Sequence, residues 1–262
     1  MDSYRGFPEI VYPCQVMPRF NIRKTTTRCL DSTLDIVLPR FCVMCGFSSG
    51  SQNLCQLCLA ELPRITLACP RCGLPLRPRD GQNCDHCLAR NPPWASAIAA
   101  LVYKFPVDQL VCRFKFSKSL SCGRILGNEM IRAVRARRQE PPDCLVPVPL
   151  HRTRHFVRSF NQADVLARQA GKALGIPVRS AFLSRRMRTR AHSGLNAKTR
   201  SQNIYGAFSC QIPKSKWAFS RHVALVDDVL TTGATLTECT RELKKAGVSR
   251  VSVWVAARAP KP

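Results

Sequence analysis

The chain has 262 residues, 45% of them apolar, which is enough for one packed domain plus a small module and excludes an intrinsically disordered protein. Its 41 Lys and Arg residues against 16 Asp and Glu residues give a formal net charge of +25. Such a charge favours polyanionic partners such as nucleic acid, phosphate esters or anionic membranes, with solvated basic helix faces as the alternative explanation.

Residues 1–33 are predicted to be an N-terminal extension that is poorly ordered. Pro8, Pro13 and Pro18 interrupt any helix near the start, and the apolar core of a secretory signal is missing. The longest apolar stretch, residues 94–103, is about half of the roughly 20 residues that cross a bilayer. We therefore expect a cytoplasmic protein without a transmembrane segment, in which close cysteine pairs bind metal more often than they form disulfides.

Four Cys-x-x-Cys pairs follow, and they predict a double zinc-ribbon module over residues 34–92. Two thiolates separated by two residues can contact one ion, and two such pairs complete a tetrahedral structural zinc site. The simplest assignment places one zinc on Cys42, Cys45, Cys55 and Cys58, and a second on Cys69, Cys72, Cys84 and Cys87. An interleaved pairing stays open, and His86 is a weaker substitute ligand. Because four thiolates leave no vacant position, catalytic zinc is not expected.

Residues 93–262 are predicted to form an α/β domain. The apolar stretch CLVPVPL at residues 144–150 predicts a strand, and residues 161–174 have helical spacing that ends at Gly175. The intervening basic residues can meet a pyrophosphate. The arginine-rich segment 185–208 indicates either a loop that closes over a diphosphate or a solvated charge run. The pyrophosphate and lid candidates in these two regions are Val148, Pro149, Arg152, Arg158, Arg186 and Arg188.

The most informative segment is VALVDDVLTTGAT, at residues 223–235. Residues 223–226 predict a buried parallel strand, and residues 235–246 an amphipathic helix that stops at Gly247. At the end of the strand, Asp227 and Asp228 can accept hydrogen bonds from ribose hydroxyls or hold Mg²⁺ through water. The N–H groups and hydroxyls of the next turn suit a phosphate, although a strand end followed by an ordinary helix cap is the alternative. The candidate phosphate-binding residues are Thr231, Thr232, Gly233, Ala234 and Thr235.

This segment resembles the 5-phosphoribosyl 1-diphosphate (PRPP) motif of type I phosphoribosyltransferases, in which the acidic pair holds the ribose and the following loop holds its 5′-phosphate. Together with the cysteine pairs, VPVPL, FNQA and R-x-x-N-I-x-x-A-F, it resembles the ComF/GntX family, from about residue 34 to the end. The resemblance implies an α/β fold, a type I phosphoribosyltransferase-like parallel sheet flanked by helices and preceded by the four-cysteine zinc-ribbon module.

For function, the resemblance implies binding of PRPP or a related ribose 5-phosphate ligand, with Mg²⁺, and a role in DNA uptake and natural competence alongside DNA-uptake proteins. Single-stranded DNA is then a partner, and five aromatic residues lie among basic ones where they can stack bases, although core packing is the commoner role. These are Trp94, Tyr103, Phe105, Phe114 and Phe116. Two alternatives stay open: an active nucleobase phosphoribosyltransferase of purine or pyrimidine salvage, and a zinc-ribbon interaction adaptor with a vestigial transferase domain. No residue is identified as a general acid or base.

Overall fold

The computed structural model describes residues 40–50, 53–77, 83–150, 160–186, 205–211 and 221–260. Every described residue belongs to one compact unit, Arg40–Pro262. The extension predicted over residues 1–33 therefore lies outside the described residues. Among the helices of the described part, none has both the length and the apolar character that a membrane crossing requires.

The described residues form eight strands and six helices. The strands are β1 (Arg40–Phe41), β2 (Ser48–Gly50), β3 (Ser96–Val102), β4 (Cys144–Pro147), β5 (Leu183–Arg185), β6 (Phe208–Cys210), β7 (His222–Leu230) and β8 (Arg250–Arg258). The helices are α1 (Gln56–Ala60), α2 (Asp85–Arg90), α3 (Val107–Phe116), α4 (Leu120–Ala136), α5 (Gln162–Leu174) and α6 (Ala234–Lys245).

The main sheet has four parallel strands in the order β3–β8–β7–β4. The central strands β7 and β8 pair from His222 opposite Arg250 to Leu230 opposite Arg258. Their near-continuous apolar runs are buried on both faces, as in parallel sheets covered by helices, and the predicted fold class is confirmed. Strand β7 is longer than the predicted run 223–226, because the strand also includes the acidic pair.

Side chains on β7 alternate between two cores. Ala224 and Val226 join the core under α4 and α5, whereas Val223 and Leu225 join the core under α6. Helix α5 has the predicted ends, since the side chain of Asn161 accepts from the N–H of Ala163 and Gly175 is left-handed with a φ of 71°. The two cores lie on opposite faces of the sheet. Because β4 and β7 are parallel neighbours, their carboxyl ends lie side by side at one edge of the sheet.

The cysteine-rich region lies along the outer side of β3. The N–H of Ile65 donates to the carbonyl of Ala100 at 2.9 Å, and the N–H of Ala97 donates to the carbonyl of Pro70 at 2.8 Å. Arg64 adds a side-chain contact from the same region to α4, where its Nε lies 2.8 Å from Oε2 of Glu129. These bonds fix the cysteine-rich region against the parallel sheet.

The two ends of the predicted basic segment 185–208 lie in β5 and β6, which pair antiparallel with Arg185 opposite Phe208. The Oγ atoms of Ser184 and Ser209 are 2.8 Å apart across this pair. The interpretation of the whole segment as a loop is therefore wrong at its ends, where short strands form, and residues 187–204 lie outside the described residues.

Candidate functional site

The eight paired cysteines form two groups of four, with the simplest of the predicted pairings. In each group all four sulfur atoms lie within 4.8 Å of one another. The sulfur atoms of Cys45 and Cys55 are 3.7 Å apart, and those of Cys72 and Cys84 are 3.6 Å apart. Zn–S bonds of about 2.3 Å place the sulfurs of a tetrahedral site about 3.8 Å apart, so both groups fit structural zinc.

Both groups have the same local structure. In each first pair the glycine after the second cysteine is left-handed, and its N–H donates to the carbonyl of the first cysteine, Gly46 to Cys42 at 2.9 Å and Gly73 to Cys69 at 2.8 Å. In each second pair a short helix begins directly after the first cysteine. Because the sulfur atoms that lie together belong to successive pairs, the sequential pairing fits and the interleaved pairing does not.

One thiol in each group ionises easily. Burial disfavours the thiolate of Cys42, but backbone N–H donors of Cys45 and Cys55 more than offset it and lower its pKa to about 6. The same balance, with backbone donors at Cys84 and Cys72, lowers the pKa of Cys69 to about 7. Since a thiolate is the form that ligates zinc, each group presents a metal-binding sulfur at neutral pH.

The acidic pair lies at the carboxyl end of β7. Asp228 is 7% exposed, and its Oδ2 lies 3.0 Å from Nζ of Lys115 in the last turn of α3. Asp227 is half-buried, and its Oδ1 accepts the N–H of Asp228 at 2.9 Å. The two carboxylates therefore differ, because only Asp228 has a direct cationic partner among the described contacts.

The surroundings of Asp227 disfavour its ionised form. Desolvation, and then the neighbouring charge of Asp228, raise the pKa of Asp227 from 3.8 to about 7, although Lys115 and Arg185 act in the opposite direction. The ionised form of such a carboxyl group is stabilised when a ligand supplies hydrogen-bond donors or a metal ion supplies positive charge. Perturbed carboxyl groups of this kind are typical of functional sites.

The TTGAT loop, residues 231–235, follows directly. Thr231 and Thr232 are exposed, and Gly233 is left-handed with a φ of 80° where α6 begins. Gly233 is the N-cap residue of α6 and has no side chain that could cap its first turn. The side chains of Thr231 and Thr232 therefore lie at the surface, next to the acidic pair, whereas Gly233 at the start of α6 is buried. The predicted helix 235–246 is confirmed within one residue at each end.

The other predicted site residues separate into two sets. Val148 is buried beside β7, since its N–H donates to the carbonyl of Val226 at 2.9 Å, and Pro149 is half-buried next to it. Arg186 is exposed, and its N–H donates to the carbonyl of Ala207 at 2.9 Å. Lying outside the described residues are Arg152, Arg158 and Arg188.

Three site residues were missed by sequence reasoning. Lys115 pairs with Asp228, and Arg185 lies 5.2 Å from the ring centre of Phe208 while lowering the pKa of Asp227. Arg258 donates to the carbonyl of Thr231 at 2.7 Å. Lys115 and Arg258 had no signal in the sequence, because they lie far from the acidic pair along the chain and reach it only through helix and strand packing.

The aromatic residues predicted to stack bases are divided by the structure. Trp94 and Phe114 are buried and Tyr103 is half-buried, as expected for core residues. Phe105 is 68% exposed before α3, and Phe116 is 62% exposed at its end. The exposed members of this predicted set therefore lie at the two ends of the helix that carries Lys115.

Comparison with known proteins gives relatives along most of the chain. The double zinc ribbon domain family matches residues 33–88. Competence protein F of Haemophilus influenzae is 36% identical over 83% of this chain and 96% of its own length. The DNA utilization protein YhgH of Escherichia coli is 31% identical over 85% of this chain and 99% of its own length. Competence protein ComFC of Bacillus subtilis is 24% identical over 75% of this chain and 80% of its own length.

Among solved structures, adenine phosphoribosyltransferase from Leishmania tarentolae matches 59% of this chain and 74% of its own, with a TM-score of 0.30 and 15% identity. A likeness of this size carries no argument about ligand or mechanism. The sequence relatives, matched over nearly their whole length, carry the assignment. The chain belongs to the ComF/GntX family of competence protein F and DNA utilization protein YhgH.

Proposed function

We propose that the protein binds PRPP or a related ribose 5-phosphate together with Mg²⁺ at the carboxyl end of β7. The observation that carries this proposal is the position of Asp227, Asp228 and the TTGAT loop beside one another at the open end of a parallel sheet, where ligands of open α/β sheets bind. Two carboxylates suit the hydroxyls of a ribose, and exposed hydroxyls at a helix N-terminus suit a phosphate dianion.

The donor set of the site also suits a magnesium ion. Oxygen ligands are the ones Mg²⁺ prefers, and it is usually held through one or two carboxylates plus phosphates of the substrate. Asp227, whose pKa is raised to about 7, gains most from a cation, while Lys115 already compensates Asp228. When bound, the ion would neutralise charge on the diphosphate, and Val148 and Pro149 would border that group.

The first test is the pH dependence of binding. If Asp227 must be ionised to hold the ligand, affinity for PRPP with Mg²⁺ is constant above about pH 8 and falls by about tenfold for each pH unit below 7. Calorimetric titration of the full chain between pH 6 and pH 8 measures this. Ribose 5-sulfate, whose charge is constant in this range, separates the titration of the protein from that of the ligand phosphate. Affinity for both ligands that does not change with pH would contradict the assignment.

We also propose that the protein handles single-stranded DNA in a DNA-uptake role. The relatives named for competence and DNA utilization support this, as does the net charge of +25. Unpaired bases stack on exposed aromatic rings that lie near basic residues. Phe105 and Phe116, on either side of α3, offer such rings. A ribose-phosphate site next to such a surface also suits the 5′-phosphate end of a strand.

Salt dependence tests the DNA proposal. Because phosphate contacts release counterions, we expect the affinity for a single-stranded oligonucleotide to fall by about tenfold or more between 50 and 200 mM NaCl. Fluorescence anisotropy of a labelled oligonucleotide measures it, with a peptide nucleic acid of the same bases as the uncharged control. Affinity that is independent of salt, or equal for the two polymers, would exclude recognition through the phosphates.

A further inference from the structure

The side chain of Arg258 lies between the second four-cysteine group and the TTGAT loop. Arg258 is the last residue of β8 and is 7% exposed. Its Nε donates to the carbonyl of Cys72 at 3.1 Å. Its Nη1 donates to the carbonyls of Leu230 at 2.9 Å and Thr231 at 2.7 Å. One guanidinium thus holds a metal-ligand residue and the residues that lead into the loop.

The chemistry of these contacts requires an arginine. Together with the carbonyl of Ala259, at 2.8 Å from Nη1, all four acceptors of Arg258 are main-chain carbonyls, so this side chain fixes backbone positions. The two N–H groups of Nη1 are shared among three of these carbonyls while Nε reaches the fourth, whereas a lysine has a single nitrogen and could not reach both sides. Four thiolates around a divalent ion carry net negative charge, which offsets the cost of burying Arg258 beside them.

Trp94 makes a second connection between the same two parts. Its Nε1 donates to the carbonyl of Arg71, next to Cys72 in the chain, at 2.6 Å. Its ring packs against Gly233, where a Cβ atom would lie 2.9 Å from Cη2 of the indole. The carbonyls of Arg71 and Cys72, which are neighbours in the chain, therefore accept hydrogen bonds from two side chains that contact the loop. Trp94 contacts it at Gly233 and Arg258 at Thr231.

We propose that Arg258 is a positioning residue that couples the second four-cysteine group to the TTGAT loop, so that zinc at this group orders the loop and raises its affinity for a ribose phosphate. The statement on affinity rests on the function proposed above, whereas the statement on loop order does not. In this view the second four-cysteine group supports the ligand site through Arg258.

Arg64 provides a matched control. It also joins the cysteine-rich region to the rest of the protein, with Nε 2.8 Å from Oε2 and Nη2 3.2 Å from Oε1 of Glu129. Glu129 keeps a second partner in Arg132, whose Nη2 lies 2.8 Å from Oε2, so the loss of Arg64 leaves no unpaired buried carboxylate. Its contacts run to α4 and not to the TTGAT loop.

The experiment compares Arg258→Met with Arg64→Met in the full chain loaded with zinc. Hydrogen exchange of the peptide that covers residues 229–236 reports the order of the loop. We expect exchange about tenfold faster in Arg258→Met and unchanged in Arg64→Met, since only the first variant frees the carbonyls of Leu230 and Thr231. Zinc release to a chromophoric chelator is faster in Arg258→Met, and the affinity for PRPP measured by calorimetry falls by about tenfold.

Each outcome decides the proposal. Unchanged loop exchange in Arg258→Met, or equal acceleration in the two variants, overturns it. If Arg258→Met does not fold, Arg258→Lys keeps the charge with fewer bonds and is expected to give a smaller acceleration of the same peptide. Wild-type protein that has lost zinc from the second group must show the same faster exchange. If wild-type protein does not bind PRPP, the proposed function fails, while loop exchange still decides the coupling.

Discussion

We expect that replacing Asp227 and Asp228 together by asparagine lowers the affinity for PRPP with Mg²⁺ by about a hundredfold or more, because the proposed site would lose two charge-assisted hydrogen-bond acceptors and both carboxylates available to the ion. Asparagine keeps the shape of both side chains, so the strand end is preserved. Calorimetric titration at pH 8, where Asp227 is ionised in the wild-type protein, measures the loss.

The single variants have opposite effects on stability. The pKa of Asp227 is about 7 when folded and 3.8 when unfolded, so its charge destabilises the folded state at pH 8, and this penalty is lost as the pH falls from about 7 to about 4. Asp227→Asn therefore raises Tm at pH 8 by about 2–4 °C, whereas Asp228→Asn lowers it, because Lys115 loses its partner. Thermal unfolding at pH 8 and pH 5 separates the two effects.

Glu61→Gln combined with Glu140→Gln is the control for the double variant. Both side chains are exposed, and their substitution removes two negative charges, the same number as in the double variant, at positions away from the acidic pair. This control should bind PRPP as the wild type does. Unchanged PRPP affinity in the aspartate double variant would show that the ligand site lies elsewhere.

Replacing Cys69 and Cys84 by serine removes one zinc per chain and lowers Tm by more than about 10 °C, since structural zinc supplies most of the folding free energy of so small a module. The second group has a core of its own, which consists of its four cysteines and Leu74. Without the ion there is almost no apolar surface left to hold this module. Metal analysis and thermal unfolding of the same samples measure both losses.

The matched variant in the first group, Cys45→Ser with Cys58→Ser, also removes one zinc but lowers Tm less. Cys42 lies in the main core with Leu54 and Leu62, so this module keeps apolar contacts without its ion. Equal falls in Tm for the two double variants would contradict the different origins of their stability. Loss of both ions from either variant would show that the two groups are not independent.

The local features of this fold could be predicted from the sequence because each depends on neighbouring residues. The two cysteine groups follow from pairs with fixed spacing, and α5 follows from its helical spacing and its stop at Gly175. The apolar runs at residues 144–150 and 223–226 predict β4 and the first part of β7. In each case a short segment carries its own signal.

The residues that complete the candidate site could not be predicted, since they depend on distant packing. Lys115 lies in a helix whose sequence shows only amphipathic spacing, and it reaches Asp228 because α3 packs over the end of β7. Arg258 is charged and near the end of the chain, where the sequence favours exposure, yet it is buried among carbonyls. The raised pKa of Asp227 depends on the same packing.

The hydrogen bonds that join Ile65 and Pro70 to β3 cover an edge of the parallel sheet. β3 is the border strand of the parallel sheet, and an uncovered border strand offers free N–H and C=O groups on which strands of other molecules can assemble. The cysteine-rich region occupies those groups. We therefore expect a fragment truncated before β3 to self-associate and aggregate. In the full chain the cysteine-rich region covers this edge and so opposes fibrous assembly.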